Sequence, residues 1–221
     1  TADESFEEPT WRLALSVEPV DQARFYVSYD RGYKAGSFVS GAQNALQAGT
    51  PIRSEILDNY AVGMKTTWMD GRFRFNAEAF LLDYSDLQVY ELLGLNLATS
   101  NADAQSSGIE IETAFALNEN ITIGGSYTRL QAQYTSNATS TVGTLLYDGH
   151  TLPRSPEHQY NAFVDGEWDL WGGAFAARVN YQWADEFYFD PSNNPEVLED
   201  ARGLLGAFAS WESPSGLTVA V

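Results

Sequence analysis

Apolar and polar side chains alternate with a period of two through segments of ten or so residues, and this pattern recurs along almost the whole chain. Leu13, Leu15 and Val17 alternate with Arg12, Ala14 and Ser16, and Phe25, Val27 and Tyr29 with Tyr26, Ser28 and Asp30. The same beat sets Tyr60, Val62 and Met64 against Ala61, Gly63 and Lys65, and Tyr160, Ala162 and Val164 against Asn161, Phe163 and Asp165. A β-strand sends successive side chains to opposite faces, so each segment has one greasy face and one wet face. Coiled as a helix, the same residues would scatter charge around the whole cylinder. The pattern predicts ten strands and no long helix.

The connections alternate too. Short turn signals stand at Pro19–Gln22, Met69–Gly71, Asn118–Asn120, Leu170–Gly172 and Ser213–Gly216, as tight hairpins require. Between them lie longer polar stretches, Ala35–Ser54, Leu93–Ala102, Ser136–Glu157 and Phe187–Asp200. The order strand, short turn, strand, long loop predicts an all-β antiparallel up-and-down meander.

Two surroundings suit such ribbons: a second protein sheet, as in a soluble sandwich, or lipid, as in an outer-membrane barrel. Three features favour lipid. The segments reach the nine to eleven residues or so that a tilted spanning strand needs, whereas soluble strands average about five or six. The polar faces carry bulky charges suited to a wet lumen: Arg72, Arg74, Glu78, Glu110, Glu112, Asp165, Glu167 and Arg178. Aromatic rings crowd the strand ends (Trp11, Trp68, Phe73, Trp168, Trp171, Trp183, Trp211), and such rings prefer the headgroup layer of a bilayer. The longest apolar runs, such as Ala79–Leu82, fall far short of the ~20 residues of a spanning helix.

Composition narrows the partners. With 30 acidic against 12 basic residues the formal charge is −18, and ten scattered arginines and two lysines cannot neutralise a run of phosphates, which excludes a nucleic-acid partner. The 221 residues include no Cys, so disulfide frameworks, thiolate metal sites and Cys nucleophiles are all absent. No basic-then-apolar leader opens the chain at Thr1-Ala2-Asp3-Glu4, which reads as a mature or cut piece.

The stretch Arg24–Phe38 (RFYVSYDRGYKAGSF) resembles the barrel strand and loop entry of TonB-dependent receptors. Four further stretches resemble that family in the same order: Glu55–Thr66, Asn76–Gln88, Ser107–Glu112 and Leu152–His158. The resemblance implies a Gram-negative outer-membrane uptake receptor, with outer-membrane lipid around it and energy arriving from TonB through a plug domain that this chain lacks. It implies a small-molecule ligand such as a metal chelate (a ferric siderophore, for example), cobalamin, haem or a glycan. Barrels of this kind have about 22 strands, so residues 1–221 are expected to be a partial barrel, truncated at both ends. Loop aromatics Phe38, Tyr147, Phe187, Tyr188 and Phe189 are the candidates for ligand stacking. A passive porin-like channel and a soluble lectin-like β module are the alternative readings.

No catalytic machinery is expected. There is no P-loop, nucleotide-binding glycine fingerprint or Gly-x-Ser-x-Gly elbow. No cofactor or metal site is expected: Asp165, Glu167 and Asp169, spaced by two, form a stripe on a strand face, and Asp190–Glu196 lacks the Gly and ligand spacing of a calcium loop. His150 and His158 are expected in solvated loops. Phe80, Leu82 and Tyr84 are apolar alongside Leu81, which predicts a bulge and a register shift after Ala79.

Overall fold

The computed structural model describes residues 4–38, 49–93, 96–140 and 143–221. Ten strands pair in chain order: β1 (Trp11–Val20), β2 (Ala23–Lys34), β3 (Glu55–Trp68), β4 (Phe73–Leu93), β5 (Asn96–Ala116), β6 (Ile121–Tyr134), β7 (His158–Leu170), β8 (Gly173–Ala184), β9 (Arg202–Glu212) and β10 (Thr218–Ala220). Every pairing is antiparallel. This is the expected meander.

The register places like with like. Val27 stands opposite Val62, Val62 opposite Ala79 and Ala79 opposite Ile109. Tyr127 faces Tyr160, and Val164 faces Val179. Among the described residues nothing covers this apolar face: Leu15 remains 66 % exposed, Val62 54 % and Leu205 75 %. Burying one such side chain contributes about 1.5–3 kcal/mol, and soluble monomers rarely expose contiguous apolar patches beyond a few hundred Å². The face is built for an apolar surrounding.

Its aromatic rings fall in two belts. Near the short turns, Phe73 meets Phe115, and Phe175 lies within 6.2 Å of both Trp168 and Trp171. Toward the long loops, Trp11 meets Tyr29, Tyr29 stacks on Tyr60 at 4.9 Å, and Tyr160 stacks on Trp183 at 5.2 Å. The belts are eight residues apart in β3 (60 to 68), β7 (160 to 168) and β8 (175 to 183). That is about 26 Å along a strand at roughly 3.3 Å per residue, close to the ~25 Å apolar band of outer-membrane barrels.

The turn between β7 and β8 holds Trp171 at φ 53° and Gly172 at φ 72°, the pair of left-handed residues that matches the twist of a two-residue hairpin. Trp171 consequently projects from the rim, 81 % exposed.

Two departures from the expected layout lie in the β4–β5 hairpin. Leu93–Ala102, expected as a loop, is strand from Asn96 onward, because the β4–β5 ladder continues far past the upper belt. The ladder supplies hydrogen bonds whatever the side-chain pattern. The bulge lies later than Ala79: pairing is regular through Tyr84 opposite Ala104 and resumes at Leu87 opposite Ala102. Ser85 and Asp86 form it, with Asp86 at φ 57°. Phe80 and Tyr84 keep to the polar face, where Phe80 lies opposite Gly108.

Candidate functional site

The long-loop end of the sheet carries what there is of a closed core. Val89, Ala102, Ala104, Tyr134, Ala138 and Tyr147 are buried together. Alanines at 102 and 104 leave room on the ladder for the two tyrosine rings, whose centroids lie 5.1 Å apart. The Tyr147 hydroxyl donates to Glu91 at 2.5 Å. Burial, then this bond, pushes the Tyr147 phenol well above its ordinary value.

Two polar side chains from the β4–β5 hairpin fasten the base of the loop spanning 35–54. Gln88 is buried and donates to the carbonyls of Ala35 at 3.0 Å and Arg53 at 3.1 Å. Asn101 accepts from the Arg53 amide at 3.0 Å and donates to the Asp86 carbonyl at 2.7 Å. Arg53 Nε reaches the Asp86 carboxylate at 2.9 Å. The bulge turns Asp86 toward this arginine. Residues 39–48 of the expected loop lie outside the described residues.

The loops following β6 and β8 are docked on each other. Asn193 accepts from the Thr151 amide and donates to the Thr151 carbonyl, both at 2.8 Å. His150 Nδ1 bonds the Pro191 carbonyl at 3.1 Å, and the Arg154 amide donates to the Tyr188 carbonyl at 2.8 Å. The Arg154 guanidinium sits 5.5 Å from the centroid of the Phe189 ring. Asp190 accepts from Ser192 at 2.8 Å and from the Asn194 amide at 3.1 Å, so its oxygens tie the loop internally.

These contacts sort the five stacking candidates. Phe189 is 46 % exposed and meets Phe187 edge-on at 5.1 Å. Phe187 and Tyr188 are half-buried in a ribbon with Leu198–Glu199. Phe38 is half-buried opposite Pro51. Tyr147 is 1 % exposed, so its ring holds the loop core and offers no face to a ligand. The pattern of the sequence did not single out Gln88, Asn101, Arg154 or Asn193; their roles depend on partners dozens of residues away.

Below the loops, the polar face gathers most of the expected lumen set. Arg74, Glu78, Glu110, Glu112, Asp165, Glu167 and Arg178 occupy one face by register, with Glu78 directly opposite Glu110 and Asp165 opposite Arg178 at 3.5 Å. Tyr26 donates to Glu78 at 2.5 Å, its ring lying across Gly63, where any Cβ would collide with it. Arg72 departs from the set. It lies in the turn before β4, donates to the carbonyls of Ala116 and Leu117 at 3.0 and 2.9 Å, and covers Phe115. It clamps two hairpins at their short-turn ends. Among the described residues no three metal-ligating side chains converge. His158 meets the Tyr127 hydroxyl at 2.9 Å, at the upper aromatic belt.

A family model described as TonB dependent receptor-like, beta-barrel matches residues 1–221. The ferrichrome outer membrane transporter/phage receptor of Escherichia coli (strain K12) is 22 % identical over 191 residues, 85 % of this chain and 24 % of that protein. The ferric yersiniabactin uptake receptor FyuA of Yersinia pestis superposes with a TM-score of 0.77 at 19 % identity, over 95 % of this chain and 30 % of that one. BauA, the ferric preacinetobactin receptor of Acinetobacter baumannii, gives 0.71 at 19 % identity, over 98 % and 32 %. The chain thus spans about a quarter to a third of the length of these relatives.

Proposed function

The chain belongs to the TonB-dependent receptor β-barrel family, and from that premise we propose that it is part of the wall and external loop face of an outer-membrane receptor. In this reading the receptor takes up a scarce nutrient too large for a porin. The observation that carries it is the uncovered apolar face between two aromatic belts, crowned on one side only by ordered loops. A water-soluble binding module would have to bury that face; a bilayer buries it without a second sheet.

The polar face then lines the interior, where Arg74, Glu78, Glu110, Glu112, Asp165, Glu167 and Arg178 meet the plug and the ligand route. The docked loops following β6 and β8 make first contact with the ligand, with Phe187 and Phe189 offering ring faces and Arg154 a cation beside them. A metal chelate such as a ferric siderophore fits an aromatic and cationic contact of this kind. The interior carries the ligand onward with energy delivered by TonB through a plug domain outside residues 1–221.

The test is growth and uptake. A strain deleted for the gene is supplied with candidate metal chelates, cobalamin, haem or glycans as sole source, with the gene restored on a plasmid and with TonB present or removed. Restored uptake of one ligand class, abolished without TonB, is the expected outcome. Conductance of the purified protein in planar bilayers, with uptake indifferent to TonB, overturns it in favour of a passive channel.

A further inference from the structure

Toward the long loops, the polar face of β7 and β8 changes from charged to uncharged. Counted upward from the lower aromatic belt, Glu167 and Asp165 stand one and three residues above Trp168, and Arg178 stands three above Phe175. Asn161 and Gln182 come seven residues up, and Gln159 nine. The register sets Gln159 opposite Thr128 of β6, and Asn161 between Ser126 and Gln182. With Arg202 at the rim, these side chains line a groove of about 390 Å³, within the roughly 300–1,000 Å³ of small-ligand sites. It opens on the polar face below the docked loops, on the route that uptake requires.

Its hydrogen-bonding groups are open. Asn161 donates to the Ser126 hydroxyl at 2.5 Å, which leaves the hydroxyl hydrogen free to donate. The side chains of Thr128, Gln159 and Gln182 make no hydrogen bond among the described residues. Each glutamine amide offers two donors and an acceptor. The two cations at the borders are already paired. Arg202 bonds Glu199 at 2.8 Å, and Arg178, over the Phe163 ring beneath the groove, meets Asp165 at 3.5 Å. On the β5 side, Glu110 stands opposite Thr128 and Glu112 opposite Ser126. An anion seated here would face two carboxylates, and like charges brought together repel.

We propose that Gln159 and Gln182 determine ligand specificity: the groove holds the transported ligand by amide and hydroxyl groups and selects an uncharged ligand over an anionic one. A surface of carbonyls and hydroxyls matches amides that both donate and accept. An uncharged tris-hydroxamate metal chelate and a neutral oligosaccharide both present such a surface. A tris-catecholate chelate of the same trivalent metal is trianionic and is turned away by Glu110 and Glu112. The inference rests on the uptake reading above and narrows its ligand class.

The experiment uses the complete polypeptide that carries this chain, purified from outer membranes in mild detergent, with binding read by titration calorimetry. The probes are an uncharged gallium(III) tris-hydroxamate chelate, the trianionic gallium(III) tris-catecholate chelate and an uncharged glucose oligosaccharide. Wild-type protein is expected to bind one of the uncharged probes roughly tenfold or more tighter than the tris-catecholate; which one it binds separates a chelate from a glycan. Gln159→Ala/Gln182→Ala is expected to weaken that binding about fivefold or more, as the loss of two hydrogen bonds implies. Gln131→Ala, on the opposite face of β6, is expected to leave it unchanged. Gln159→Arg/Gln182→Arg is expected to narrow or reverse the preference, a gain of anion binding that a misfolded protein would not show. Three results overturn the inference: tris-catecholate bound by the wild type as tightly as the uncharged probes, no binding of any probe, or unchanged affinities in both double variants. Uptake that persists without TonB overturns the receptor reading and leaves these affinities as they are, a separate failure.

Discussion

Asn193 and Thr151 grip each other by a reciprocal pair of hydrogen bonds, side-chain amide to backbone amide and carbonyl, both 2.8 Å long. Asn193 adopts φ 53°, a left-handed conformation that Asn tolerates better than most residues. This one side chain joins two loops 42 positions apart in sequence. Asn193→Ala removes both bonds and the conformational preference. At a net ~0.5–1.5 kcal/mol per hydrogen bond, local stability should fall by about 1–3 kcal/mol. Amide hydrogen exchange should accelerate in 146–154 and 187–199 and stay unchanged in the strands below. Unchanged protection in both loops would show that they are held by other contacts.

Tyr147 links pH to the same loop core. Its phenol is raised by burial and by the bond to Glu91, while in an unfolded chain it would titrate near pH 10. A group whose folded value is the higher one stabilises fully below the unfolded value, and loses that contribution as pH climbs toward the folded value. The loop core should therefore weaken above about pH 10 and be insensitive to this residue at neutral pH. Tyr147→Phe keeps the ring but strands the Glu91 carboxylate, at a cost of about 1.5–3 kcal/mol for a bond to a charged group. Tyrosinate absorbance during alkaline titration checks this: the variant should show one fewer late-ionising tyrosine than the wild type.

Gly63 tests the interior wall. Only a residue without Cβ lets the Tyr26 ring cross it to reach Glu78. Gly63→Ala should expel the ring, break that bond and cost about 1–3 kcal/mol, the usual penalty of overpacking. Urea-induced unfolding in detergent micelles should show a lower midpoint for Gly63→Ala. Tyr26→Phe/Gly63→Ala should fare no better than the single variant, because the ring carbon Cζ collides with the new Cβ as closely as the hydroxyl oxygen does.

Most of the sheet was legible because alternation is a local signal: Leu13, Leu15 and Val17 announce β1 with no knowledge of β2. The same holds for the polar-face charges, whose side follows from counting by two. What escaped depends on distant partners. Asn96–Ala102 carries no alternation and is strand only because β4 runs beside it. Asp86 breaks the register where Arg53 waits for it. Tyr147 reads as a loop aromatic until Ala102 and Ala104 are seen to make space for it. Arg72 fits the alternation of β4 but lies one position before the strand begins, where carbonyls and not the lumen receive it.

The apolar face offers the sharpest discrimination. Val62 is 54 % exposed and lies between the belts, two positions from Tyr60 and six from Trp68. In water, placing a charge at so exposed a site would cost little, since surface substitutions usually stay within about ±0.5 kcal/mol. In a bilayer, an arginine on a barrel wall costs about 2–4 kcal/mol at the midplane and about 0–1 kcal/mol at the interfaces, so about 1–3 kcal/mol at this depth. Val62→Arg should therefore lower the folding free energy in phospholipid bilayers by that larger amount, and Thr67→Arg, on the polar face near the short turn, by much less. Folding can be followed by the heat-dependent shift in gel mobility across a urea series. A Val62→Arg variant folding as readily as wild type would mean that something other than hydrocarbon meets this side chain, and the sheet would need a different partner.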